Sequence, residues 1–265
     1  MPAVRINDID IHYETFGTGK PLILLHGALM TRHTWSSQVY PLSAHYQVIV
    51  PDLRGHGDSG RSAGSYAVAL LADDISKLIA ALGFERAIVC GHSLGGMVAQ
   101  ELAISYPAQV SALILADTVY GTTTTFLETV QALLGWWGIA LLPVERVAHA
   151  AAERHGKYNP EVASYLKREI NMHARDKNNY LNIHRAALSF NSKTRLKYID
   201  APALVMVGEY NPPAHKQERA IARLIHAAQM EIVPGAGFML HMDNPDYFTR
   251  TVLEFLDAVQ RPRVL

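Results

Sequence analysis

The segment Gly91-His92-Ser93-Leu94-Gly95-Gly96 sets one hydroxyl among small residues at a sharp change of pattern. The apolar run Ala87–Cys90 leads into it, and apolar residues at helical spacing, Gly95–Tyr106, follow. G-x-S-x-G between a strand and a helix is an arrangement for nucleophilic attack. The serine takes a strained turn, so small residues are needed two positions to either side. The helix then points its N-terminal amides and positive dipole end at the reacting atom. A second segment, His26-Gly27-Ala28-Leu29, ends the apolar run Pro21–Leu25. The amides of Leu94 and of Ala28 or Leu29 are the expected donors to a developing oxyanion. A serine hydroxyl at neutral pH also needs a base within hydrogen-bond reach and a group that orients the base.

The elements that would hold these groups alternate. Val4–Asn7 and Ile11–Thr15 read as an antiparallel hairpin, and Pro21–Leu25, Gln47–Val50, Ala87–Cys90 and Ala112–Ala116 as strands buried on both faces. Tyr66–Leu82 carries apolar residues at helical spacing. Residues 118–197 hold helical stretches, including Phe126–His149 and Val162–Asn178, and no strand pattern. The alternation resumes with Ala203–Val207, Lys216–Ala227, Met230–Val233 and Pro245–Gln260. This predicts an α/β core from 1–117 and 198–265, interrupted by a helical cap over 118–197.

The motifs HGALMTRHTW, PDLRGHGDSG, GHSLGGMVAQELA, VGEYNPP and GAGFMLHMDNPDYF stand in that order. On these, the chain resembles the α/β-hydrolase fold family, and most of all its small esterases, enol-lactonases and cofactor-free haloperoxidase-type enzymes. The resemblance spans nearly the whole chain outside the cap. It implies a mostly parallel central sheet flanked by helices, a lidded pocket for a small carbonyl or ester substrate, no cofactor, and Ser93 as nucleophile. It also implies an acid after Ala203–Val207 and a histidine after the last strand. Those two slots hold Asn211 and Phe238. Val233-Pro234-Gly235-Ala236-Gly237 on one side and Asp243-Asn244-Pro245 on the other fix the register of the second slot.

Two residues are candidates to make good these losses: His241, three positions beyond Phe238, as base, and Asp117, at a strand end that some relatives use, as acid. His241 is otherwise expected at the pocket rim or near a helix start, and Glu209 in solvent. In a serine protease, replacing only the acid by its amide costs about 10⁴ in rate. Ordinary hydrolysis is therefore expected to be weak or absent. Three functions remain open: an ester or lactone hydrolase with an impaired triad, a lyase, isomerase or C–C bond-forming enzyme using Ser93 and the oxyanion donors, and a binder of an apolar carbonyl compound.

Leu29, Trp35, Trp136, Trp137 and Phe238 are candidate substrate contacts, the two cap tryptophans equally well filling the cap's own core. Asp52 and Arg54 are expected to fix the RGHGDSG turn by local hydrogen bonds. The 13 histidines include no H-E-x-x-H or Cys/His cluster, so no metal is expected. Lysine plus arginine is 24 and aspartate plus glutamate 24, which favours neither nucleic acid nor an anionic membrane. The start lacks a signal-peptide layout, and the apolar run Leu133–Leu142 is about half a membrane span. A soluble, cytoplasmic protein is expected. Cys90, the single cysteine, reads as an inert core residue.

Overall fold

The computed structural model describes residues 2–122, 142–173 and 175–261. The first half runs β1 (Ala3–Ile6), β2 (Ile9–Phe16), β3 (Pro21–Leu25), α1 (Ser36–Ser43), β4 (Gln47–Pro51), α2 (Val68–Ala81), β5 (Ala87–His92), α3 (Leu94–Ser105) and β6 (Val110–Ala116). Three helices follow, α4 (Val144–His155), α5 (Pro160–His173) and α6 (Lys177–Ser189). The chain ends with β7 (Ala203–Gly208), α7 (Pro212–Leu224), β8 (Ala228–Val233), α8 (Leu240–Asp243) and α9 (Pro245–Gln260).

The strands form one eight-stranded sheet in the order β1-β2-β4-β3-β5-β6-β7-β8. β1–β2 and β2–β4 are antiparallel and the remaining pairs parallel. Both faces are covered, so the central strands alternate between two cores. Leu22 and Leu24 of β3 pack with Trp35, Phe248 and Phe255 on one side. Ile23 and Leu25 pack with Leu71, Ile75 and Leu102 on the other. The order reverses at β3, whose neighbours are β4 on one side and β5 on the other. Beyond the carboxyl ends of strands at such a reversal, flanking loops part and leave a crevice.

Val162–Asn178 is not one helix. α5 stops at His173, and α6 starts at Lys177 after Asp176, whose carboxylate accepts from Asn179 N at 3.1 Å. An aspartate that caps a new helix outweighs continuing apolar spacing, because a free first-turn amide is satisfied there. Of Phe126–His149, residues 126–141, among them Trp136 and Trp137, lie outside the described residues. The described part, α4, continues past His149 to His155. His241 lies within a short helix, α8.

Arg54 acts over a longer range than the local turn expected of it. It is fully buried and donates to Asp74 of α2, Nε at 2.7 Å and Nη2 at 2.8 Å, and to Asp8 at 2.7 Å. Asp52 accepts from Asp58 N within its own turn, but also from Arg32 N at 2.8 Å and from the Arg32 guanidinium. Asp74→Ala would leave the Arg54 guanidinium buried without its main partner. We expect it to cost about 3–5 kcal/mol, read from denaturant midpoints. A loss below about 1 kcal/mol, the scale of an exposed ion pair, would refute this buried role.

Candidate functional site

Ser93 occupies the turn between β5 and α3 with φ 52° and ψ −113°, a strained region for a residue with a Cβ. Its N–H donates to Ala116 O at 3.0 Å, and its carbonyl accepts from Thr118 Oγ1 at 2.8 Å. The flanking glycines are required by space. A Cβ on Gly91 would stand 2.2 Å from Gly95 O, and one on Gly95 would stand 2.2 Å from Leu25 O. Among the described residues, no side chain hydrogen-bonds the Ser93 hydroxyl.

β3 lies beside β5, with Leu25 paired to Gly91, so the loop after β3 reaches the same sheet edge as Ser93. The two candidate amides of this loop differ in their hydrogen bonding. Leu29, at φ 59°, gives its N–H to His56 Nε2 at 3.1 Å. The Ala28 and Leu94 amides have no partner among the described residues. His56 in turn donates Nδ1–H to Arg54 O at 2.9 Å, which fixes its tautomer. His26 is fixed in the same way, donating Nδ1–H to Gly27 O at 2.8 Å and accepting from Leu53 N at 3.0 Å. Burial holds His26 at about 4 and His56 well below the ordinary imidazole value, so both stay neutral. The helical insertion also holds this loop. Tyr165 of α5 accepts from Thr31 N at 3.2 Å, and Thr31 donates to Glu169 at 3.1 Å. His56 and Tyr165 were not candidates from the sequence; a histidine in a glycine-rich turn gives no local sign of a partner 27 residues away.

A family model described as alpha/beta hydrolase fold matches residues 20–245. The chain belongs to the α/β-hydrolase fold family. It is 27% identical over 221 residues to 3-oxoadipate enol-lactonase 2 of Acinetobacter baylyi, covering 79% of each chain. The soluble epoxide hydrolase of Corynebacterium sp. is 36% identical over 116 residues, but that match covers 44% of this chain and 41% of that protein. Less than half the length of the first curated relatives is thus spanned. Among solved structures, a thermophilic esterase from Thermogutta terrifontis superposes with TM-score 0.88 at 26% identity, over 98% of this chain and all of that one.

Phe238, which stands where the resemblance implies a histidine, is half-buried. The Phe238 carbonyl accepts from His92 Nε2 at 2.9 Å, and its ring lies 4.8 Å from that of His92 and 4.5 Å from that of His155. Asp243 accepts from Gly237 N at 2.9 Å and closes the same loop. His241 is not at a rim. It is fully buried, with Nε2 at 2.8 Å from Thr34 Oγ1 and its ring 4.3 Å from Trp35. A three-residue offset suggests reach along a loop, whereas α8 turns the side chain into the core. The expectation for Trp35 is corrected with it, since that ring has no exposure and packs between His241 and Phe248. Glu209 is exposed and bonds Gly235 N at 2.8 Å. Burial raises the Cys90 thiol far above its ordinary value.

At the other slot, Asn211 Nδ2 donates to Asp117 Oδ1 at 2.8 Å. Asp117, at φ 40°, also accepts from Gly208 N at 3.3 Å. Buried Glu218 accepts from Thr118 N at 3.0 Å. Burial pushes the Asp117 carboxyl well above the usual carboxylate range; it does the same to Glu218, whose pKa the Asp117 charge raises further. Both groups therefore favour folding only while protonated. Their contribution is complete below the ordinary values of about 4 and is lost as pH rises through the raised folded values. We expect stability to fall as pH rises above the ordinary carboxylate range, and Glu218→Gln to flatten that slope. Urea midpoints for the two chains across this range test it, and equal slopes would refute it.

Proposed function

We propose that this chain is a carboxylic-ester or lactone hydrolase of the esterase type, with Ser93 as nucleophile and the Ala28 and Leu94 amides as oxyanion donors. The observation that carries this reading is the pairing of the strained Ser93 turn with an adjacent loop whose Leu29 amide is committed to His56 while its Ala28 amide is not. Enol-lactonase and esterase relatives support the substrate class. Segment 118–197 acts as the cap over this crevice, and Leu29 and Phe238 contribute apolar surface beside it. The triad is impaired: Phe238 cannot accept a proton, and Asn211 hydrogen-bonds Asp117 rather than a histidine. A second reading, a lyase, isomerase or C–C bond-forming enzyme, draws on the same amides and on the apolar Phe238 ring. It needs polarisation of a carbonyl without an acyl-enzyme.

Hydrolysis of a short nitrophenyl ester by the parent, Ser93→Ala, and Phe238→His with Asn211→Asp tests the first reading. We expect a slow parent, no rate above background for Ser93→Ala, and a gain of about 10²–10⁴-fold for the double variant. A parent rate unaffected by Ser93→Ala would overturn it. Turnover of a carbonyl compound with no acyl-enzyme would favour the second.

A further inference from the structure

Two imidazoles, His92 and His155, lie against the Phe238 ring, and a third, His241, packs against His92; His92 and His241 are committed. His92 holds the Phe238 carbonyl through Nε2, and His241 is fixed to Thr34 and sealed in the core. The remaining one, His155, is the last residue of α4 and comes from the helical insertion. Its ring lies 4.5 Å from the Phe238 ring, and neither of its nitrogens has a hydrogen-bond partner among the described residues.

Several contacts fix its position over the two loops that carry Asn211 and Phe238. A Cβ on Gly156 would meet the Ala163 backbone at 2.4 Å, so α4 and α5 cross closely just after His155. The Tyr158 ring lies 4.6 Å from that of Tyr210, next to Asn211. Asn159 Nδ2 donates to Met242 O at 3.3 Å. His92, the residue before Ser93, lies against the same Phe238 ring, 4.8 Å between centroids.

We propose that His155 is the proton acceptor for Ser93, so that the cap supplies the base from above the slot filled by Phe238. This inference rests on the serine-nucleophile reading above. The Ser93 Oγ–H proton passes to a His155 ring nitrogen as Oγ bonds to the ester carbonyl carbon. The carbonyl C–O bond to the leaving group then breaks, and the imidazolium returns its proton to the departing alkoxide. Water repeats the sequence on the acyl-enzyme: His155 takes its proton, the acyl C–Oγ bond breaks, and the proton returns to Ser93.

Two features suit His155 to this role. Burial, with the neighbouring Arg154 acting in the same direction, lowers its imidazole to about 4, so the ring is unprotonated and able to accept, as a weaker base than an ordinary imidazole. Its place in the last turn of α4 sets the transient imidazolium at the negative end of the helix dipole. That field stands in for an orienting carboxylate, which Asn211 no longer supplies.

The test is the rate at which a fluorophosphonate labels Ser93, a reaction in which Oγ displaces fluoride at phosphorus and the base takes the proton. It is measured for the parent, Ser93→Ala, His155→Ala and His155→Gln, and for His155→Ala in a Phe238→His background. We expect His155→Ala and His155→Gln to slow labelling by at least about 10²-fold, with added imidazole restoring part of the rate to His155→Ala. In the Phe238→His background, His155→Ala should cost little, because a base stands in the other slot. Labelling of His155→Ala at the parent rate overturns the inference alone, as does an equal loss in both backgrounds, which would mark a structural role. A parent labelled no faster than Ser93→Ala overturns the nucleophile reading and this inference together.

Discussion

Everything at this site depends on the close approach of three backbones at Ser93. Holding a serine at φ 52° costs on the order of 1–3 kcal/mol, and the turn persists because its surroundings leave no alternative. The Ser93 amide is tied to β6, its carbonyl to Thr118, and Gly95 abuts the end of β3. The same contacts that impose the strain set the first amide of α3 beside the loop after β3.

That loop is held from beneath and from above. Beneath it, neutral His26 and His56 each join one N–H donor to one carbonyl acceptor, a function available to imidazole only in a single tautomer. Above it, Tyr165 and Glu169 of the insertion grip Thr31. The helical insertion is therefore mechanically continuous with the loop after β3. His26, His56, His92, His173 and His241 are all buried and hydrogen-bonded.

The environment of Asn211 gives its side chain a physical logic. Asp117 and Glu218 lie close enough for the charge of one to raise the other. A third carboxylate at position 211 would add repulsion where burial already disfavours charge. Asparagine donates instead, satisfying Asp117 through Nδ2. With Phe238 offering no imidazole to orient, a charged side chain at 211 would have no counterpart.

The elements legible in the sequence were those whose signals are local. Alternation marked the β1–β2 hairpin, apolar runs marked the central strands, Pro245 and its spacing marked α9, and the glycines around Ser93 marked the turn. Signals set by neighbours distant in sequence were not legible. Asp176 divided a helix that apolar spacing had joined, and α8 carried His241 into the core beside Trp35 rather than to a rim. The sequence by itself determined the fold family, the Ser93 turn, and the residues at positions 211 and 238. Only the tertiary structure decided that Ala28 rather than Leu29 keeps a free amide, that Arg54 reaches Asp74, and that His155 meets Phe238. Those outcomes depend on which buried donors and acceptors come within about 3 Å of one another, a consequence of packing that no residue spacing encodes.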